Sequence, residues 1–378
     1  MNAIISATHV QAADATVTVL SNTPSITDWA ARYFGPWWNA ASIDADSVCS
    51  GPVVIADVDH AAYDTLAALV GDGRDQQQVR FAKAETLVAR DGNDIIALSE
   101  GEGIAYRADQ VTGRIVIAGT GAEPVALAAA RLARESIRGQ LLRAGWAVLH
   151  ASAVVRDGSA VLAFGDKGAG KTTTAFLLAA RGWELLANDR VIVRPSAAGV
   201  DVLPWPSAAA LGLGLLDALG WYDIARNRLR SGESLHPTQH ESVTEALLDG
   251  RREPLWEPGG KRERKVQVFP DQFPAWFGVP LATGGTAAAL IFPQIRAGAA
   301  PGAADAARAL GEDDFMAGAT EDRYPDVFGL ARGVDGGGAA AVRAEVARLL
   351  GDLPHHGVVL NHDPQASADV LDKLTDGL

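Results

Sequence analysis

The run Gly165-Asp166-Lys167-Gly168-Ala169-Gly170-Lys171-Thr172 carries the residue types needed to cradle a nucleoside triphosphate. It fills every position of the G-x-x-x-x-G-K-[ST] P-loop pattern. Glycines at 165, 168 and 170 let backbone N–H groups converge on phosphate oxygens with no Cβ in the way. Lys171 is expected to neutralise the β and γ phosphates and Thr172 to offer a hydroxyl to Mg²⁺, with the positive end of the following helix adding to the field. The expected contact set is Gly165, Asp166, Lys167, Gly168, Ala169, Gly170, Lys171, Thr172 and Thr173. The expected cofactors are ATP or another nucleoside triphosphate, and Mg²⁺. A dinucleotide site is set aside, because these glycines do not fit its G-x-G-x-x-G spacing and a Lys-Thr pair suits phosphate and metal.

Position along the chain supports the motif. Ala160 to Phe164 is an apolar strand running straight into the loop, and Thr172 to Arg181 reads as the helix leaving it. Ala147 to Val155 reads as a strand joined to Ala160–Phe164 by the turn residues Arg156-Asp157-Gly158-Ser159. After the helix comes Leu185-Leu186-Ala187-Asn188-Asp189-Arg190, an acidic strand end unusually soon after the loop. Asp189 is the second expected metal contact besides Thr172, the alternative being an ordinary cap or a partner for Arg190.

Together with His150-Ala151-Ser152, these segments resemble the C-terminal domain of HPr kinase/phosphorylase and its relatives, which include HPr-kinase-like proteins of peptide-tailoring gene clusters. The resemblance covers Leu149 to Pro195, with weaker similarity at Lys265 to Phe269 and Leu353 to Leu360. It implies an α/β fold with a P-loop core related to phosphoenolpyruvate carboxykinase, preceded here by a smaller α+β domain. It also implies transfer of the γ-phosphate to a hydroxyl, usually a serine of a protein or peptide. Carried over by position, His150 lies close to the γ-phosphate, and Asp189 is the second member of the family's acidic pair. Asn188 stands where the first member, the proton acceptor, is expected.

An amide orients a nucleophile but has no basic site to take its proton at neutral pH. Three readings follow: Asp189 takes over as base, the loose transition state needs little base help, or the domain binds nucleotide without turning it over. The expected catalytic set is Asp189, His150 and Asn188. Lys167 stands where the family often has serine, and Thr173 where members acting on HPr carry an acid, so HPr is not the expected acceptor. A peptide, another protein or a small molecule bearing a hydroxyl is. Homo-oligomerisation is expected only because the resembling enzymes assemble. Lys265 has both a phosphate-contact reading and one as part of a solvated charge run, and the histidines at 355, 356 and 362 are assigned no metal.

The elements that must position these residues occupy the second part of a two-domain division, 1–122 for recognition and 123–378 for the loop domain. A chain of 378 residues with 48% hydrophobic side chains has material for both cores. Ser25 to Phe34 reads as a capped helix ending near Gly35-Pro36, Ala61 to Val70 as a helix, and Ile95–Leu98, Ile104–Tyr106 and Arg114–Ala118 as strands. Trp37 and Trp38 read as core. Ala126 to Ala144 reads as an amphipathic helix opening the second domain, with Arg131, Arg134, Glu135, Arg138 and Arg143 on a solvated surface. Asn227 to Lys265 reads as polar loops, Ala297–Glu312 and Gly333–Gly338 as linkers, Ala287 to Phe292 as a buried strand, and Ala339 to Leu350 as a helix.

A net charge of −13 with no basic block argues against nucleic acid as partner. Met1 to Val17 has no signal-peptide pattern, and no stretch reaches the roughly 18 apolar residues of a membrane span, so neither secretion nor insertion is expected. Cys49 is the only cysteine and excludes an internal disulfide, consistent with a reducing cytoplasm.

Overall fold

The computed structural model describes residues 5–45, 51–260, 262–316 and 326–378; Cys49 and Lys261 lie outside them. The chain is mixed α/β and forms two compact units, Met1–Trp146 with Met316–Ala339, and Ala147–Phe315 with Ala340–Leu378. The division falls after Trp146 rather than before residue 123. The long helix expected to open the second domain therefore belongs to the first unit.

In the first unit the chain runs β1 (Ser6–Ala12), β2 (Ala15–Ser21), α1 (Pro24–Trp38), β3 (Ala41–Ile43), β4 (Val53–Val58) and α2 (His60–Asp72). There follow β5 (Arg74–Phe81), β6 (Ala84–Asp91), β7 (Asp94–Ser99), β8 (Ile104–Asp109), β9 (Arg114–Gly119) and α3 (Ala122–Arg143). The nine strands form one sheet in the order β3-β1-β2-β4-β9-β8-β7-β6-β5, parallel only at β2–β4 and β4–β9. Period-two alternation sets its faces. Ala118 of β9 packs with Leu66 and Val70 of α2, so the buried Ile115 and Ile117 point to the opposite face.

Two expectations fail here for tertiary reasons. α1 runs through Pro36 to Trp38 and is capped by Asn39 at φ 45°, because the buried Trp37 and Trp38 hold its last turn in the core. On α3, Arg134, Glu135 and Arg138 are buried rather than solvated. The segment 326–339 lies over Glu135 and Arg138. A Cβ on Gly139 would lie 2.1 Å from the Leu330 carbonyl oxygen, so the segment crosses α3 at that glycine. Arg138 donates to Glu135 at 2.7 Å and to the Gly336 carbonyl at 2.9 and 3.2 Å, which offsets the desolvation of the pair. Gly333–Gly338 is thus packed structure, not a linker.

The second unit begins with β10 (Ala147–Leu149), β11 (Ser152–Arg156), β12 (Ser159–Ala163), α4 (Lys171–Ala179), β13 (Glu184–Ala187), β14 (Val191–Ser196) and β15 (Gly199–Pro204). It continues with β16 (Ala209–Leu211), α5 (Leu213–Ala218), α6 (Tyr222–Arg230), α7 (Glu241–Asp249), β17 (Leu255–Trp256), β18 (Glu263–Arg264) and β19 (Val266–Val268). Helices and short strands therefore replace the expected loops over much of 227–265. β20 (Gly285–Ile295), β21 (Gly302–Ala303), α8 (Ala340–Gly351), β22 (His355–Leu360) and α9 (Pro364–Thr375) complete it.

The main sheet has the order β10-β14-β15-β20-β12-β11-β13, with β22 on β20 and β21 on β22. Alternate residues feed two cores. Val154, Val161, Leu185 and Ile291 join Phe176 of α4 and Leu371 of α9, whereas Val155, Leu162, Leu186 and Leu290 join Val346 and Leu350 of α8. The first core extends through Trp221 and Phe273, both packed on Phe176, and each such buried ring contributes about 2–3 kcal/mol. No helix among the described residues is long and apolar enough to cross a membrane.

Candidate functional site

The glycine-rich loop joins β12 to the N-terminus of α4. Phe164 ends the strand by donating its N–H to the Ile291 carbonyl at 2.9 Å, and the backbone turns away at Gly165 with φ 145°. A Cβ at Gly165 would come within 2.9 Å of the Ala169 side chain. Gly170 precedes the helix at φ 116°, where a Cβ would press on Ile295 at 3.0 Å. Both positions demand glycine on conformation and on space. Asp166, Lys167 and Gly168 are exposed at the loop tip, Ala169 is half-buried, and Thr173 lies half-buried in the first turn of α4. Lys171 reaches back along the loop, donating Nζ to the carbonyls of Gly165 at 2.5 Å and Asp166 at 3.3 Å.

Sheet register brings the remaining expected residues to this place. β11 runs antiparallel between β12 and β13, with Ser152 opposite Ala163 and Ala153 opposite Ala187. The start of β11 therefore lies beside the ends of both neighbours. His150, just before β11, meets Gly165, just beyond β12, and Asn188-Asp189, just beyond β13, at one edge of the sheet. The strand expected over Ala147–Val155 is interrupted for the same reason: β10 pairs with β14 whereas β11 pairs with β12 and β13. His150 and Ala151 form the step between them.

Polar contacts tie these segments together. The Asn188 carbonyl accepts from Ser152 Oγ at 2.6 Å and from Thr172 Oγ1 at 3.4 Å. The Asn188 side chain is buried, and its Oδ1 has no donor among the described residues. His150 Nε2 lies 3.1 Å from Asp189 Oδ1; since a carboxylate only accepts, Nε2 carries the hydrogen. Arg190 approaches the other oxygen, with Nε at 3.9 Å from Asp189 Oδ2 and its guanidinium over Trp205. The Asp189 side chain remains 47% exposed.

Opposed influences act on the Asp189 carboxyl. Desolvation is the largest single one and raises its pKa, but the His150 hydrogen bond and the charges of Arg190, His150 and Lys171 together outweigh it and draw it down to about 2. Asp189 is therefore ionised at neutral pH.

The cradle fits a triphosphate with Mg²⁺ by this structure's own features. Gly165 and Gly170 leave open the space that a Cβ would fill, a nine-residue helix begins at Lys171, and the Thr172 hydroxyl donates to the carbonyl of Asn188, the residue before Asp189. Among the described residues no three His, Cys, Asp or Glu side chains converge as metal ligands. A divalent ion at this edge would be held by Thr172, Asp189 and phosphate oxygens. His355 donates Nε2–H to the Leu350 carbonyl at 3.0 Å, a structural role. The charge of Lys265 acts on Glu263, whose pKa is raised by desolvation against it.

Nothing in the sequence singles out Arg308 and Asp314. Arg308 stands in the stretch that reads as a linker and Asp314 just beyond it, and the pairing of Leu149 with Phe315 brings them near. Comparison with protein-family models and with curated proteins finds no match.

Proposed function

We propose that the second unit is a P-loop phosphotransferase related to HPr kinase, which uses ATP and Mg²⁺ to phosphorylate a hydroxyl of a peptide or protein. The observation that carries this reading is the gathering of the loop, His150, Asn188 and Asp189 at one sheet edge. Bound there, ATP with Mg²⁺ supplies the γ-phosphoryl group and the cation that offsets its charge.

The chain's own residues do the rest. The loop N–H groups and Lys171 bind the phosphates, and Thr172 and Asp189 hold the cation. A carboxyl held near 2 is a poor proton store at neutral pH, so Asp189 orients the attacking hydroxyl by accepting its hydrogen bond rather than by extensive proton transfer. His150 fixes the Asp189 carboxylate by its own hydrogen bond, and the Asn188 carbonyl keeps Ser152 and Thr172 in register. A half-exposed Asp189 suits an acceptor presented on a chain better than a metabolite enclosed in a pocket.

Incubation with γ-labelled ATP and Mg²⁺ across a peptide, protein and metabolite panel tests the reading. Label on a serine or threonine hydroxyl is expected. Tight ATP binding with no labelled acceptor would instead make the unit a nucleotide-gated binding module, and label confined to metabolites would make it a small-molecule kinase.

A further inference from the structure

We propose that the Arg308–Asp314 ion pair is a positioning device for His150, and so belongs to the machinery of the loop site. The proposal rests on the reading of that site given above.

His150 sits at the step between β10 and β11, where the sheet ladder is broken. Its backbone N–H donates to the Asp314 carbonyl at 2.8 Å, and its neighbour Leu149 pairs with Phe315 in an antiparallel bridge. The placement of the His150 backbone thus follows the placement of residues 314 and 315. Asp314 is buried, and its carboxylate is held by three donors: Arg308 Nη1 at 2.7 Å, Arg308 Nη2 at 2.5 Å and the Gly311 N–H at 2.9 Å. A bidentate guanidinium fixes a carboxylate in orientation as well as in charge.

Arg308 is itself placed by the loop's surroundings. Its guanidinium lies over the Phe292 ring, 5.6 Å from the centroid, and Phe292 stacks on Phe164, the residue that leads into Gly165. The charge of Asp166 in the loop also acts on Arg308. One side of the pair therefore borders the phosphate loop and the other fixes the peptide of His150, whose ring bonds Asp189. Neither Arg308 nor Asp314 reaches the reacting atoms in this account; both act through His150.

The test uses the full chain with ¹⁵N-labelled histidine. The His150 ring signals are assigned by their loss in His150→Gln. Arg308→Met, which keeps an unbranched side chain but removes the fork, is expected to shift those signals in nucleotide-free protein. Arg308→Lys, with charge but no fork, is expected to restore them in part. Where phosphoryl transfer is measured, Arg308→Met should lower kcat roughly tenfold with ATP affinity kept within about twofold. It should cause no further loss in a His150→Gln background.

His150 signals unmoved in a folded Arg308→Met protein, or losses that multiply in the double variant, would overturn the proposal. Should Arg308→Met fail to fold, Asp314→Asn, which retains the carbonyl and two acceptor sites, is read in the same way. The ring signals need no ATP. Absence of transfer in the wild type would therefore count against the kinase reading alone.

Discussion

Asp189→Asn is expected to lower Mg²⁺-dependent phosphoryl transfer by roughly 10²- to 10⁴-fold while leaving the fold intact. The amide is nearly isosteric, and its oxygen still accepts the hydrogen from His150 Nε2, so the local geometry at 3.1 Å has a partner. What disappears is the charge. Asp189 is ionised because His150, Arg190 and Lys171 outweigh its desolvation. The neutral variant neither holds a divalent cation nor accepts strongly from an attacking hydroxyl. The effect should fall on kcat, and on ATP affinity only when Mg²⁺ is present. Single-turnover transfer from γ-labelled ATP, with and without the metal, reads both. A variant within about threefold of wild type would remove Asp189 from the chemistry. Asn188→Asp in the same assay separates the readings of the missing acid: a gain in turnover identifies a base that this chain lacks, whereas no gain supports a reaction driven by positioning.

Lys171→Ala is expected to weaken ATP binding by roughly 10²- to 10³-fold, since removing one partner of a desolvated charge pair costs about 2–5 kcal/mol. In the structure its ammonium donates to the Gly165 and Asp166 carbonyls. Loss of those bonds should change stability by no more than about 1–2 kcal/mol. Equilibrium titration with ATP, alongside a denaturant midpoint, distinguishes a lost phosphate contact from a damaged fold. Unchanged affinity would mean that the triphosphate binds elsewhere.

The part of this site legible in the sequence was its local part. Strand, glycine loop and helix follow one another in the chain, so residue type, spacing and flanks all bear on Gly165–Thr172. The turn at Asp157-Gly158 was equally readable, with both residues at positive φ between β11 and β12. The resemblance assigned His150 and Asp189 to one site but not to each other; their hydrogen bond depends on β11 lying between β12 and β13, a matter of pairing that periodicity does not encode.

Long-range covering was not legible at all. Arg134, Glu135 and Arg138 have the spacing of a solvated helix face, yet all three are buried, and residues 326–339 return nearly two hundred positions later to lie over Glu135 and Arg138. The same holds for α1, where Gly35-Pro36 reads as a stop and burial of Trp37 and Trp38 carries the helix onward. Arg308 lies in an Ala/Gly-rich stretch and Asp314 just past its end, and composition gives no sign of the ion pair they form.

Backbone amide exchange of the full chain, with and without saturating ATP and Mg²⁺, tests most directly whether the glycine-rich loop is a phosphate cradle. The amides of residues 166–172 are expected to slow by at least about tenfold on addition of nucleotide, with the β5–β6 hairpin of the first unit unchanged. Loop amides that exchange at the same rate in both conditions would contradict it, whatever the chain does elsewhere.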